Sequence, residues 1–211
     1  GVRLVGSEMC IRDSRGGEQG AQHSQALHSW YSHIPGLRVV MPAFANDARD
    51  LLIASILSND PVLYIDDRWC YDEEEEYLPP KEIKLQDIKP QLLNEGNDLT
   101  IVTWGPALYD SLEAAKILEE NGKSVEVIDL RSIIPLDIDT IIKSVKKTGK
   151  CIVTTHAVTI GSFASEISAQ INEVAFDYLD CPVIRLGSLN GIAPQSHVLE
   201  EEFLLNKIIF P

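Results

Sequence analysis

The stretch Leu99-Thr100-Ile101-Val102-Thr103-Trp104-Gly105-Pro106 decides the fold. It is apolar and β-branched, too short for a helix, and closed by Gly-Pro, which together predict a buried strand. Residues 107–121 follow with Leu108, Leu112, Ala115 and Leu118 on one helical face, and Asn121-Gly122 supplies the stop. The alternation then repeats. Val125-Glu126-Val127-Ile128-Asp129-Leu130 reads as a strand, Asp137 caps a helix over 138–147, and Gly149 ends it. Cys151-Ile152-Val153-Thr154-Thr155 is the next strand. Residues 162–179 form a long helix with Phe163, Ile167, Ile171, Val174 and Phe176 apolar. Val183-Ile184-Arg185-Leu186 is a last strand and residues from Leu199 a last helix. Strands alternating with helices predict an α/β domain with a mostly parallel sheet.

The same pattern extends upstream. Leu37-Arg38-Val39-Val40-Met41-Pro42 is a short buried strand, Asn46-Asp47 caps a helix over 48–57, and Val62-Leu63-Tyr64-Ile65 is a second strand. Short loops between them imply parallel pairing. Between the two regions, Asp72-Glu73-Glu74-Glu75-Glu76 and Pro79-Pro80 suit a linker over 72–97, with some strand near Ile83 to Leu85. The acid run lacks the spaced pattern of a Ca²⁺ loop, so a solvated face is the better reading. Residues 1–14 begin without Met, show neither period, and resemble adapter read-through; they are expected to be non-native. The expected units are 15–71, 72–97 and 98–211.

The 211 residues carry 18 basic and 32 acidic side chains, a net charge of -14, with no basic stripe. Nucleic acid and anionic membranes are therefore poor partners. Cys10, Cys70, Cys151 and Cys181 are widely spaced, with no zinc-type pairing, which suits reduced thiols in a cytosolic or matrix-like compartment. No apolar run is long enough to span a bilayer.

One loop stands out for chemistry. Gly20-Ala21-Gln22-His23-Ser24-Gln25 precedes a segment whose Leu27, Trp30, Tyr31 and Ile34 make an apolar helical stripe. This puts His23 in the first turn of a helix behind a glycine loop, where a ligand can approach. A lone His there is more often a cap or packing residue. Gly16, Gly17 and Gly20 form no nucleotide fingerprint, Gly105 alone is too little, and no G-x-S-x-G elbow is present. His156 and His197 fall near strand ends or loops, and Glu166 near a helix start; for each the structural reading leads.

Taken together, the blocks Gln22-His23-Ser24-Gln25, Pro35-Gly36-Leu37-Arg38-Val39-Val40-Met41-Pro42 and Asp129-Leu130-Arg131-Ser132-Ile133-Ile134-Pro135-Leu136-Asp137 resemble the β subunit of the thiamine-diphosphate-dependent 2-oxo acid dehydrogenase E1 component. Trp30-Tyr31, Asp47-Ala48, Asn59-Asp60-Pro61-Val62 and the stretch from Glu95 to Val102 extend the likeness from Arg15 onward. The resemblance implies the tail of a pyrimidine-binding domain over 15–71 and a transketolase C-terminal-like three-layer α/β/α domain over 98–211. It implies oxidative decarboxylation of a 2-oxo acid, with pyruvate expected, and acyl transfer to lipoamide on an E2 acyltransferase. It implies a heterotetramer with an E1 α subunit and a second β subunit, in the bacterial cytoplasm or mitochondrial matrix. Thiamine diphosphate would lie between subunits, its Mg²⁺ held by the α subunit. His23 maps onto the family's active-site histidine and Gln22 onto a cofactor contact. A K⁺ site maps onto Ser55, Ile56, Ser58 and Asp60, with Ser58 standing where the family has Asp. The family's aminopyrimidine-activating glutamate lies upstream of this chain. The segment from Thr155 to Phe163 strays from the family's Gly- and Trp-containing version, which leaves substrate identity open. Two alternatives remain: a sugar-phosphate enzyme of the transketolase or deoxyxylulose phosphate synthase type, and a non-catalytic dimerisation and E2-docking module.

Overall fold

The computed structural model describes residues 9–13 and 20–204, of which 9–13 and Gln22 are described by backbone alone. The first sheet is built from β1 (Met9–Asp13), β2 (Arg38–Val40) and β3 (Val62–Asp67), joined late in the chain by β7 (Ser132–Ile134). Its order is β1-β3-β2-β7, with β1 and β2 parallel to β3 and β7 antiparallel to β2. Residues 9–13, inside the stretch expected to be non-native, thus pair along β3; the rest of 1–14 lies outside the described residues.

The second sheet runs β4 (Gln91–Asn94), β6 (Val125–Asp129), β5 (Leu99–Thr103), β8 (Cys151–Val158), β9 (Ile184–Ser188). Four strands are parallel and β4 alone is antiparallel, as in many α/β folds with one reversed edge strand. The strand expected near Ile83 is absent; a 3-10 turn occupies Leu85–Asp87, and the strand comes later, at β4. Its weakly apolar Gln-Leu-Leu-Asn sequence hides it, because an edge strand need not be apolar on both faces.

Helices α4 (Ala107–Glu120), α5 (Ile138–Thr148) and α6 (Phe163–Ala175) make the outer layers. The period of two in the strands assigns the faces. Ile101 and Val127 pack with Leu108 and Ala115 of α4, while Val102 and Ile128 pack with Ile141 of α5 and Ile167 of α6. Buried hydroxyls are satisfied across these layers: Thr100 bonds Ser144 and Thr148 of α5, and Thr154 bonds Ser111 of α4. Asp137 caps α5 by accepting from the Thr140 N–H, and left-handed Gly149 closes it, as the sequence predicts.

Three helices differ from expectation. Around His23 there are two short helices, α1 (Gly20–His23) and α2 (His28–Ser32). His23 ends α1, so no N-terminal dipole acts on it. The predicted apolar stripe is only half borne out: Tyr31 packs against the main core and Leu27 is half-buried, but Trp30 is 70% exposed and Ile34 47%, while His28 is buried. Second, α3 (Ala45–Ile56) begins three residues before its expected start, and Asn46 does not cap it. Its N-terminus is held by the acid loop instead, where the Glu75 carboxylate accepts from the Asn46 N–H and Asn46 Oδ1 accepts from the Leu78 N–H. Third, α6 stops at Ala175, and a 3-10 turn follows at Phe176–Tyr178; Val174 and Phe176 are exposed. A short α7 (His197–Phe203) follows β9.

One apolar core runs through both sheets. Val39, Met41, Leu63 and Ile65 of the first region join Trp104, Leu130, Ile133, Ile141 and Ile167 of the second. Polar links reinforce the joint: the Met41 N–H donates to the Arg131 carbonyl, and the Arg131 guanidinium bonds Asp47. Arg131 sits at φ 59, and its N–H donates to Asp129 Oδ1, which holds this left-handed residue in place.

Candidate functional site

The parallel strands of both sheets deliver their C-terminal ends to one place, where α/β folds carry function. Asp67 closes β3, Trp104 and Pro106 follow β5, and Thr155 and His156 lie late in β8. With Ser24, Ala26, His28, Met41 and Leu204 they enclose a small cavity. A larger neighbouring cavity of about 310 Å³ is lined by Ser24, Leu27, Trp30, His156, Ser162 and Ile192 among others. The loop that the sequence singles out therefore forms one wall of the site, and β8 the facing wall.

The loop itself is tightly tied. The Ser24 N–H donates to the Gly20 carbonyl at 3.1 Å, and Gln25 Nε2 donates to the Ala21 carbonyl at 2.7 Å. Gly20 has φ +63, and a Cβ there would lie 2.7 Å from Gln195 Cγ, so the chain before α7 presses on the loop. His23 is exposed; Ser24 beside it is buried. Gln22 lies in α1, and its side chain is outside the described residues.

Behind the loop stand two buried imidazoles. The Trp104 indole N–H donates to His28 Nε2 at 3.3 Å, which places the proton of a neutral His28 ring on Nδ1. Trp104 meets His28 edge-on on one side and Phe163 on the other. His156 Nε2 lies 2.8 Å from Asp110 Oδ2, with both side chains buried. A carboxylate only accepts, so His156 donates from Nε2. The structural reading of His156 and the silence of the sequence about His28 and Asp110 both miss this cluster. The signal available for His156 was its place at a strand's C-terminal end; Asp110 carried none, because its pairing depends on how α4 lies against β8.

The K⁺ residues fall elsewhere. Ser55 and Ile56 end α3, and Ser58 and Asp60 lie in the turn before β3. Asp67, at the other end of six-residue β3, belongs to the cavity, so this turn is about 20 Å from the loop. The Asp60 carboxylate bonds Arg38 Nε at 2.6 Å, and the Ser55 carbonyl accepts from the Ser58 N–H. Among the described residues no group of three or more His, Cys, Asp or Glu could hold a metal ion. Glu166, in the first turn of α6, accepts from Gln170, and exposed His197 lies 3.4 Å from Glu201.

Elsewhere two carboxyls are displaced for opposite reasons. Burial pushes Asp129 up to about 7, and nearby Asp47 adds to this against the opposing Arg131. Burial would also raise Glu126, but Lys147, Ser144 and the Gly96 N–H outweigh it and leave Glu126 lowered. No helix among the described residues is long and apolar enough to cross a membrane.

This two-sheet α/β architecture, with its site at the junction, places the chain in a definite class. It belongs to the transketolase C-terminal domain family, which it matches over residues 89–208, and residues 4–69 match the transketolase pyrimidine binding domain. The more particular likeness is to β subunits of the pyruvate dehydrogenase E1 component. It is 39% identical to that of Staphylococcus epidermidis over 185 residues, 88% of this chain and 57% of the relative. It is also 39% identical to that of Bacillus subtilis over 174 residues, 82% of this chain and 54% of the relative. The chain thus spans little more than half the length of these relatives. A solved structure described as a split-gene transketolase, an inactive β4 tetramer, superposes with a TM-score of 0.75 at 24% identity. It covers 93% of this chain and 61% of that one, and supports the fold alone. The family implies thiamine diphosphate as cofactor and confirms the likeness carried by the sequence blocks.

Proposed function

We propose that this chain is part of the β subunit of a 2-oxo acid dehydrogenase E1, of pyruvate dehydrogenase type. It works with an α subunit and a second β subunit to decarboxylate the oxo acid and pass the acyl group to lipoamide on an E2 acyltransferase. The observation that carries this reading is the 39% identity to pyruvate dehydrogenase β subunits across 88% of the chain, with the His23 loop inside the residues that match the pyrimidine binding domain.

The residues present suit one wall of a cofactor site rather than the whole. Among the described residues, the larger cavity is lined by apolar Leu27, Trp30 and Ile192 together with Ser24, Ser29 and Ser162, a lining suited to an aromatic ring, and none of those lining residues is a Lys or Arg that would hold a diphosphate. The diphosphate and its Mg²⁺ are accordingly assigned to the α subunit. Bound thiamine diphosphate supplies the nucleophilic carbon and the electron sink for decarboxylation. His23 is assigned to donate a hydrogen bond or proton to the substrate oxygen on which charge develops. Gln22 is assigned to the cofactor. A K⁺ ion at Ser55, Ile56, Ser58 and Asp60 would draw on backbone carbonyls, because Arg38 already occupies the Asp60 carboxylate.

The test is co-expression with an E1 α subunit and an assay of 2-oxo acid decarboxylation with added thiamine diphosphate. Pyruvate turnover is expected. Turnover of sugar phosphates and not oxo acids would replace this reading with a transketolase-type one.

A further inference from the structure

Two free thiols share a cavity at the end of the second sheet away from the candidate site. Cys151 opens β8, and Cys181 lies between the 3-10 turn at Phe176–Tyr178 and the start of β9. Two ties hold these segments side by side. The Asp180 N–H donates to the Gly149 carbonyl at 2.8 Å, and Ile152 pairs with Ile184 in the parallel ladder. Gly149 and Asp180 approach so closely that a Cβ on Gly149 would lie 2.8 Å from the Asp180 carboxylate. Cys151 falls between the two ties on one segment, and Cys181 falls between them on the other. Both line a cavity of about 260 Å³, with Leu99, Leu118, Ile152 and Ile184. Paired strands run about 4.8 Å apart, within the roughly 4.4–6.8 Å between Cα atoms that a disulfide spans. Burial raises the Cys151 thiol, and Cys181 raises it further, an effect that like charges exert only at short range.

We propose that Cys151 and Cys181 are a peroxide-responsive dithiol that closes to an intramolecular disulfide. The two thiols differ as such a pair requires. Cys181 is exposed and meets the oxidant, whereas Cys151, 1% exposed, is shielded from solvent and faces the shared cavity. The Cys181 sulfur attacks one oxygen of hydrogen peroxide; the O–O bond breaks, and the thiol proton leaves with the departing oxygen as water. Cys151 then attacks the resulting sulfenic sulfur; the S–O bond breaks, and the hydroxyl leaves with the Cys151 proton as a second water. The thiols together lose two electrons, which reduce the peroxide. The bond closes a loop around α6 that also carries His156 and Ser162, which line the larger cavity of the candidate site. Oxidation at one end of the sheet thus tightens a wall of the site at the other. None of this rests on the proposed activity.

The test is peptide mapping of the full chain after hydrogen peroxide, with free thiols alkylated before digestion under non-reducing conditions. A peptide linking Cys151 to Cys181 is expected, absent after dithiothreitol. It should vanish in Cys181→Ser and persist in Cys70→Ser. The oxidised chain should melt about 5–10 °C above the reduced one, from closure of a loop of about 30 residues, and Cys151→Ala should show no such rise. Both thiols alkylated after peroxide, a bond to another cysteine or between two chains, or Cys181 carried on to sulfinic acid with Cys151 still free overturns the proposal. A linked pair with an unchanged Tm would overturn the tightening of the α6 loop.

Discussion

Asp129→Asn should make the protein more stable at neutral and alkaline pH. Asp129 closes β6, is wholly buried, and is pushed from its ordinary 3.8 to about 7 by burial and by Asp47. A carboxyl raised in the folded state binds its proton more tightly there than in the unfolded chain. Its stabilising contribution is therefore complete below the unfolded value of 3.8 and is lost as pH rises through about 7. The gap corresponds to about 4 kcal/mol over the full range, and about 3 kcal/mol of it falls between pH 5 and 8. Asn keeps an acceptor for the Arg131 N–H, now 3.1 Å from Asp129 Oδ1, and has nothing to ionise. Urea unfolding of both proteins at pH 5, 6, 7 and 8 gives the difference directly, with other titrating groups cancelling. The variant should gain on the parent steadily, by about 1.4 kcal/mol per pH unit until near pH 7. A difference that stays flat across this range would refute the reasoning and mean that Asp129 is ionised or neutral throughout.

Three further outcomes follow from the same geometry. In the assembled enzyme His23→Ala should reduce kcat by about 100-fold or more in steady-state decarboxylation assays, and undiminished activity would remove the role assigned to it. Trp104→Ala, which strips a buried indole from between His28 and Phe163, should cost about 3–5 kcal/mol in urea unfolding. Lys147→Met leaves buried Glu126 without its cation and should cost about 1–2 kcal/mol at pH 7, less as pH falls and Glu126 takes a proton; a pH-independent cost would deny the pair its effect.

Most of the fold was legible because its signals are local. The strands at 99–103, 125–129 and 151–158 are apolar runs bounded by turn residues, and helix α5 carries both its caps in sequence, Asp137 and Gly149. The misreadings share a cause. Helical spacing assigned Trp30 and Ile34 to the core, yet which face of a one-turn helix is buried depends on what the chain packs against, and the sheets chose His28. Edge strand β4 left little apolar trace, and β7 joined the other sheet from more than 90 residues after β2.

The sequence by itself determined the α/β class, the order of the central strands and helices of the second sheet, the family, and the one loop it singles out for chemistry. Those rest on periodicity, caps and residue blocks, which are properties of neighbours along the chain. Only the tertiary structure decided that His156, Asp110, His28 and Ser24 meet, and that Asp129 loses its water. Such groups lie up to 132 residues apart, and burial and charge act through space, where the sequence has no ruler.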